Sequence, residues 1–131
     1  MEQHVQVSVA LENAPGQLGR LCRVLTQAEV NIRGICVADG ADISVVRLLV
    51  SDPAATEKAL REAGFAYTTQ EVLLVELTDR PGALEDAALR LGQAGVNVQY
   101  LYGASDGPEG RARLVFRVSD VETARQILGD A

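Results

Sequence analysis

The chain carries one phrase twice. Leu11-Glu12-Asn13-Ala14-Pro15-Gly16-Gln17-Leu18 returns sixty-six positions later as Leu77-Thr78-Asp79-Arg80-Pro81-Gly82-Ala83-Leu84. The offset also holds for Val7/Leu73, Val9/Val75, Leu25/Leu91, Val30/Val96, Asn31/Asn97 and Ile32/Val98. It becomes sixty-eight after the Gly107-Pro108-Glu109-Gly110 segment, matching Val50-Ser51-Asp52 to Val118-Ser119-Asp120. An internal repeat of this length divides the 131 residues into two small units, 1–70 and 71–131. The extra residues fall in a Gly/Pro-rich stretch, as an insertion into a hairpin loop should.

Within the first copy, Val5, Val7, Val9 and Leu11 alternate with smaller or polar residues, the period of a half-buried strand. From Pro15 to Ala28 the spacing of Leu18, Leu21, Leu25 and Ala28 makes one apolar helical face. Val30 to Ala38 reads as a strand whose alternation is disturbed at Gly34, and Asp39 to Asp42 as a turn. Ile43 to Val50 is a third strand, Asp52-Pro53 opens a second helix ending at Gly64, and Phe65 to Thr69 suits a short fourth strand. The second copy repeats this with strands over 72–78, 97–103 and 111–118 and helices over 81–94 and 120–128. Its last residues leave no room for a fourth strand. That strand is either absent or supplied from elsewhere.

With right-handed crossovers, this order gives an α+β fold: two tandem ferredoxin-like βαββαβ units, with antiparallel sheets and helices on one face. The other face of copy one carries Ile43, Val45 and Leu49, joined by Val72 and Leu74, while copy two offers Arg111, Arg113 and Arg117 there, a solvated or interface rim. The apolar patch predicts a covering subunit, hence a homodimer.

In both copies Pro-Gly opens a helix. Proline in a first turn loses no hydrogen bond, and glycine leaves the amides and positive dipole end bare to an anion. The alternative is that Gly16 and Gly82 are small only to avoid clashes, and that Asn13 and Asp79 are plain N-caps. If Asp79 caps its helix, its carboxylate repels an anion there. The Asn13–Leu18 turn is then the better anion site, and Asp79 meets an ammonium.

Acidic residues outnumber basic ones in each copy and the net charge is −6, against the basic surface that nucleic acid requires. No apolar run reaches the ~20 residues of a membrane span, and Met1-Glu2-Gln3-His4 does not read as a secretory signal. Cys22 and Cys36 lack metal or redox spacing and read as small hydrophobes, so a reducing cytoplasm is expected. No catalytic set, metal cluster or phosphate loop is present, so the expectation is a non-enzyme without metal or cofactor. His4 has no evident partner, and Tyr100 and Tyr102 read as packing or interface residues.

The PG-x-L turns followed by Val30-Asn31-Ile32 and Gly95-Val96-Asn97-Val98 resemble the ACT domain signature, twice over and across nearly the whole chain. The wording of residues 31–39 and Tyr100-Leu101-Tyr102 is similar to small stand-alone tandem ACT proteins. The resemblance implies a regulatory module that binds an amino acid between two ACT domains. The amides of Ala14, Pro15-Gly16, Gln17 and Leu18 would hold the ligand carboxylate, and Asn97-Val98 of the other copy would close the pocket. The pseudo-symmetric site would use Asp79, Arg80, Pro81, Gly82, Ala83 and Leu84 with Asn31-Ile32. Polar Glu12, Asn13 and Gln17 beside apolar Ile32 and Val98 suit several amino acids equally. A regulated enzyme is a further implied partner. The competing reading is a ligand-free interaction scaffold using the same fold.

Overall fold

The computed structural model describes residues 1–129. Ten elements follow in the order β1 (Glu2–Glu12), α1 (Gln17–Gln27), β2 (Ile32–Ala38), β3 (Ile43–Val50), α2 (Pro53–Glu62), β4 (Tyr67–Thr78), α3 (Ala83–Gln93), β5 (Val98–Gly103), β6 (Arg111–Val118) and α4 (Val121–Leu128). Two compact units emerge. One spans Val5–Gln70; the other joins Met1–His4 to the chain from Glu71 onward.

In the first unit the strand order is β2-β3-β1, with the beginning of β4 beside β1. Val7, Val9 and Leu11 pair with Leu48, Val46 and Ser44 in antiparallel register. Paired residues share a face of the pleat, so these side chains form one apolar layer. Onto it pack Leu21 and Leu25 of α1 and Leu60 of α2, each at most 1% exposed. The start of β4 closes the other edge, where the Ala10 amide donates to the Ala66 carbonyl at 3.0 Å and Gln6 Nε2 donates to Gln70 Oε1 at 2.9 Å. The Arg20 guanidinium lies 4.3 Å from the Phe65 ring centroid and donates to the Ala63 carbonyl, tying α1 to the end of α2. The irregularity read at Gly34 is a register shift between Ile32 and Gly34, and β5 repeats it between Val98 and Tyr100.

The second unit has the order β4-β6-β5, with Leu73, Val75, Phe116 and Val118 packed against Leu91 of α3 and Ala124 and Leu128 of α4. Its fourth strand comes from elsewhere: the beginning of β1 belongs to this unit. There the Glu2 carboxylate lies 3.9 Å from the Arg113 guanidinium. The separate strands read at 65–69 and 72–78 are one strand, β4, whose first residues serve one unit and whose remainder serves the other.

Two expectations are corrected and one is filled out. Leu49, Val72 and Leu74 are at most 2% exposed in the single chain, so they need no second subunit to leave water; Ile43, 54% exposed, stays open. Arg111, Arg113 and Arg117, read as a solvated or interface rim, also meet Glu76, Asp106 and the Glu71 carbonyl within the chain. His4 does find a partner, with Nε2 2.7 Å from a Glu2 carboxylate oxygen.

Candidate functional site

Each Pro-Gly turn begins where an inner strand ends. β1 stops at Glu12, and the Asn13 amide donates to the Asp42 carbonyl at 2.8 Å. β4 stops at Thr78, and the Asp79 amide donates to the Gly110 carbonyl at 3.0 Å. The helices then start later than the proline suggests. Gly16 (φ 86°) and Gly82 (φ 89°) are the N-caps, both left-handed, and neither helix has a side-chain cap. Pro15 and Pro81 therefore stand just outside their helices, and Asn13 and Asp79 are not N-caps.

The consequence is chemical. A usual N-cap side chain accepts a hydrogen bond from the second or third amide of its helix. Asp52 and Asp120 do so for α2 and α4, accepting from Ala55 and Thr123. At α1 and α3 a glycine stands in that place. Among the described residues the amides of Leu18 and Gly19, and of Leu84 and Glu85, meet no acceptor. These donors sit at the positive end of a helix dipole, suited to a carboxylate.

The two turns are not electrically equal. The first turn of α1 has no acidic residue, whereas α3 carries Glu85 and Asp86 there. Asn13 spends its carboxamide on the fold, donating to the Gly40 carbonyl at 2.9 Å and so fixing the β2–β3 turn. Around the first turn lies a small hollow of about 100 Å³, lined by Glu12, Asn13, Ala14, Gln17 and Leu18 with Val37, Ser44 and Val46. The second turn borders a larger cleft of about 230 Å³, where Thr78, Arg80 and Ala83 meet Glu76, Asp86, Arg90 and Arg111. Pro81, Gly82 and Leu84 are in the same turn but outside that lining.

Asn31-Ile32 and Asn97-Val98 lie elsewhere in their units. Ile32 pairs with Val50 while Leu11 pairs with Ser44, six residues away along β3. At ~3.3 Å per residue that is roughly 20 Å. The asparagines are anchored alike: the Asn31 amide donates to Ser51 Oγ at 3.0 Å, and the Asn97 amide to Ser119 Oγ at 2.9 Å. Neither is the left-handed residue of its helix-to-strand turn. Glu29 (φ 57°) and Gly95 (φ 78°) hold that place.

Several contributors escaped the sequence reading. Val37, Ser44 and Val46 reach the first hollow from neighbouring strands, and Arg90 and Arg111 reach the second cleft from a helix and a strand. Only the helical period linking Ala83, Asp86, Ala87 and Arg90 could have signalled part of this. Among the described residues no group of three or more His, Cys, Asp or Glu side chains could hold a metal ion. No described helix is long and apolar enough to cross a membrane. Cys22 and Cys36 are free and half-buried.

Two βαββαβ units, each with an uncapped glycine turn, define a tandem pair of small α+β modules. Residues 3–130 match the family described as "ACT domain pair", and the chain belongs to it. A protein of Bacteroides thetaiotaomicron is similar, at 30% identity and TM-score 0.91, over 98% of this chain and 88% of that one. The regulatory subunit of aspartate kinase from Thermus thermophilus, in ligand-free form, shares the fold at 14% identity and TM-score 0.69, covering 99% and 97% of the two chains. Aspartokinase alpha and beta subunits share it at 14% identity and TM-score 0.62, covering 99% and 96%. No curated protein matches.

Proposed function

We propose that this ACT domain pair is a non-catalytic sensor, binding an amino acid between ACT domains through its glycine-capped turns. The observation that carries the reading is the uncapped start of α1. Among the described residues its Leu18 and Gly19 amides meet no acceptor, and no acidic residue stands in its first turn. The ligand carboxylate sits on those amides beside Glu12, Asn13 and Gln17, with Asn97-Val98 of another ACT domain closing the pocket. The turn from Asp79 to Leu84, with Asn31-Ile32, is the second such site. The fold shared with the regulatory subunit of aspartate kinase supports a regulatory role. The partner that reads the signal is then an enzyme, and the setting the cytoplasm.

A thermal-shift screen against the twenty amino acids at millimolar concentration tests this, since a ligand that binds only the native state raises the melting temperature. The expected result is a selective shift that Gln17→Glu removes. That variant adds negative charge to the helix start, which favours the helix but repels a carboxylate. Uniform absence of shifts from ligand-free protein contradicts the reading.

A ligand-free scaffold is favoured by one separate observation. On the outermost strand β2, Ile35 and Val37 are 40% and 50% exposed, and Leu18 is exposed as well. Self-association that no amino acid alters, measured by sedimentation, would select this alternative.

A further inference from the structure

The second unit builds a charged cleft that the first does not. Between the end of β4, the start of β6 and α3, Arg80, Arg90 and Arg111 line one space of about 230 Å³ together with Glu76 and Asp86. By the repeat offsets, the first copy has Ala14, Val24 and Ile43 where these arginines stand. The cleft is thus an addition to one copy and not a property of the repeated fold. A chain of net charge −6 that gathers three of its twelve basic residues in one cleft leaves a local excess of one positive charge over the two carboxylates.

The groups are held in place. Arg111 Nε donates to Glu76 at 3.0 Å and its Nη1 to Thr78 Oγ1 at 3.0 Å. Glu76 is further neutralised by Arg113 Nε, 3.6 Å away. Arg90 is anchored through Nη2 to the Ile127 carbonyl, and among the described residues its charge meets no carboxylate. Arg80 contacts Asp86 at 3.3 Å, with both side chains more than half exposed at the rim. Planar guanidinium forks suit carboxylates. The volume lies below the range of drug-sized pockets and suits a small metabolite.

We infer that this cleft is a site for an acidic amino acid, whose two carboxylates meet Arg90 and Arg111 and whose ammonium meets Asp86. Such a ligand carries one net negative charge and balances the excess. This inference rests on the amino-acid-sensor reading but concerns different side chains from the turn of α1.

The test is calorimetry on the full chain with L-glutamate and L-aspartate, with glutarate and succinate as their counterparts without an ammonium, and with glutamine, asparagine and sulfate. An acidic amino acid should bind at least tenfold more tightly than its amide or its deaminated counterpart. Arg111→Gln, at an exposed strand start, should weaken it at least tenfold, and so should Arg90→Gln. If Arg90→Gln alters the fold by circular dichroism, Arg111→Gln decides. Asp86→Asn should abolish the preference for glutamate over glutarate. Sulfate or glutarate binding as well as glutamate overturns the inference, as does acidic amino-acid binding unaffected by Arg111→Gln. A different amino acid bound, lost in Gln17→Glu, with no acidic one bound, overturns this inference and leaves the sensor reading standing. No amino acid bound at all removes both.

Discussion

Gly16 is where residue-level chemistry and the proposed site meet. At φ 86° an L-residue is strained whatever the surroundings, and a Cβ there would meet nothing within 4 Å. Gly16→Ala should therefore cost about 1 kcal/mol through the backbone alone. Glu29 presents the reverse case, a non-glycine residue at φ 57° where the second copy has Gly95. Glu29→Gly should gain up to about 1 kcal/mol, since glycine is the favoured residue just after a helix. Urea denaturation of both variants checks the opposite signs, and equal signs would contradict the account. The sequence shows the Pro-Gly pair plainly but not its role. The same two letters fit a proline inside the first turn, as Pro53 is in α2, or a proline outside a left-handed glycine cap, as Pro15 is. Backbone conformation separates the two, and periodicity carries no record of it.

At the scale of elements, α2 and α4 show what α1 and α3 forgo. Asp52 and Asp120 both cap through a carboxylate oxygen, and the hydroxyl and amide of Thr123 hold the Asp120 carboxyl below its ordinary value. A carboxyl lowered on folding stabilises the folded state above its unfolded pKa, and that contribution is lost as pH falls through the folded one. Asp120→Asn should therefore flatten the acid side of the stability profile below about pH 4, with little change in that slope for substitutions of exposed, unpartnered acids. An unchanged acid limb would count against the cap. Most elements were legible from alternation and helical period, and β3 and β6 match to the residue. The second cleft was not, because Glu76, Arg90 and Arg111 are thirty-five positions apart from first to last and meet only through strand pairing and helix packing.

For the whole molecule, the sequence left open whether the fourth strand of copy two is absent or supplied from elsewhere; which segment supplies it was not legible. No local pattern tells a strand that its first residues serve a different unit from the rest, since strand pairing is non-local. The beginning of β1 occupies that place, with Glu2 beside Arg113 and Met1 Cε 3.5 Å from where a Cβ on Gly129 would stand. Removing Met1–His4 should therefore speed amide exchange in β4 from Glu71 onward and lower the stability of the second unit, while the β2–β3 ladder keeps its protection. Hydrogen exchange resolves this residue by residue, and loss of protection confined to the first unit would contradict the assignment. On the proposed sensor reading, a ligand that binds these helix starts and joins two ACT domains would couple binding to association.

The decisive measurement is a titration of amide resonances with the amino acid whose thermal shift Gln17→Glu removes. The Leu18 and Gly19 amides should move downfield together and saturate at one Kd, in the micromolar to millimolar range of about −8 to −4 kcal/mol, and should stay still in Gln17→Glu. Saturable binding that leaves those two amides unmoved would contradict the sensor reading.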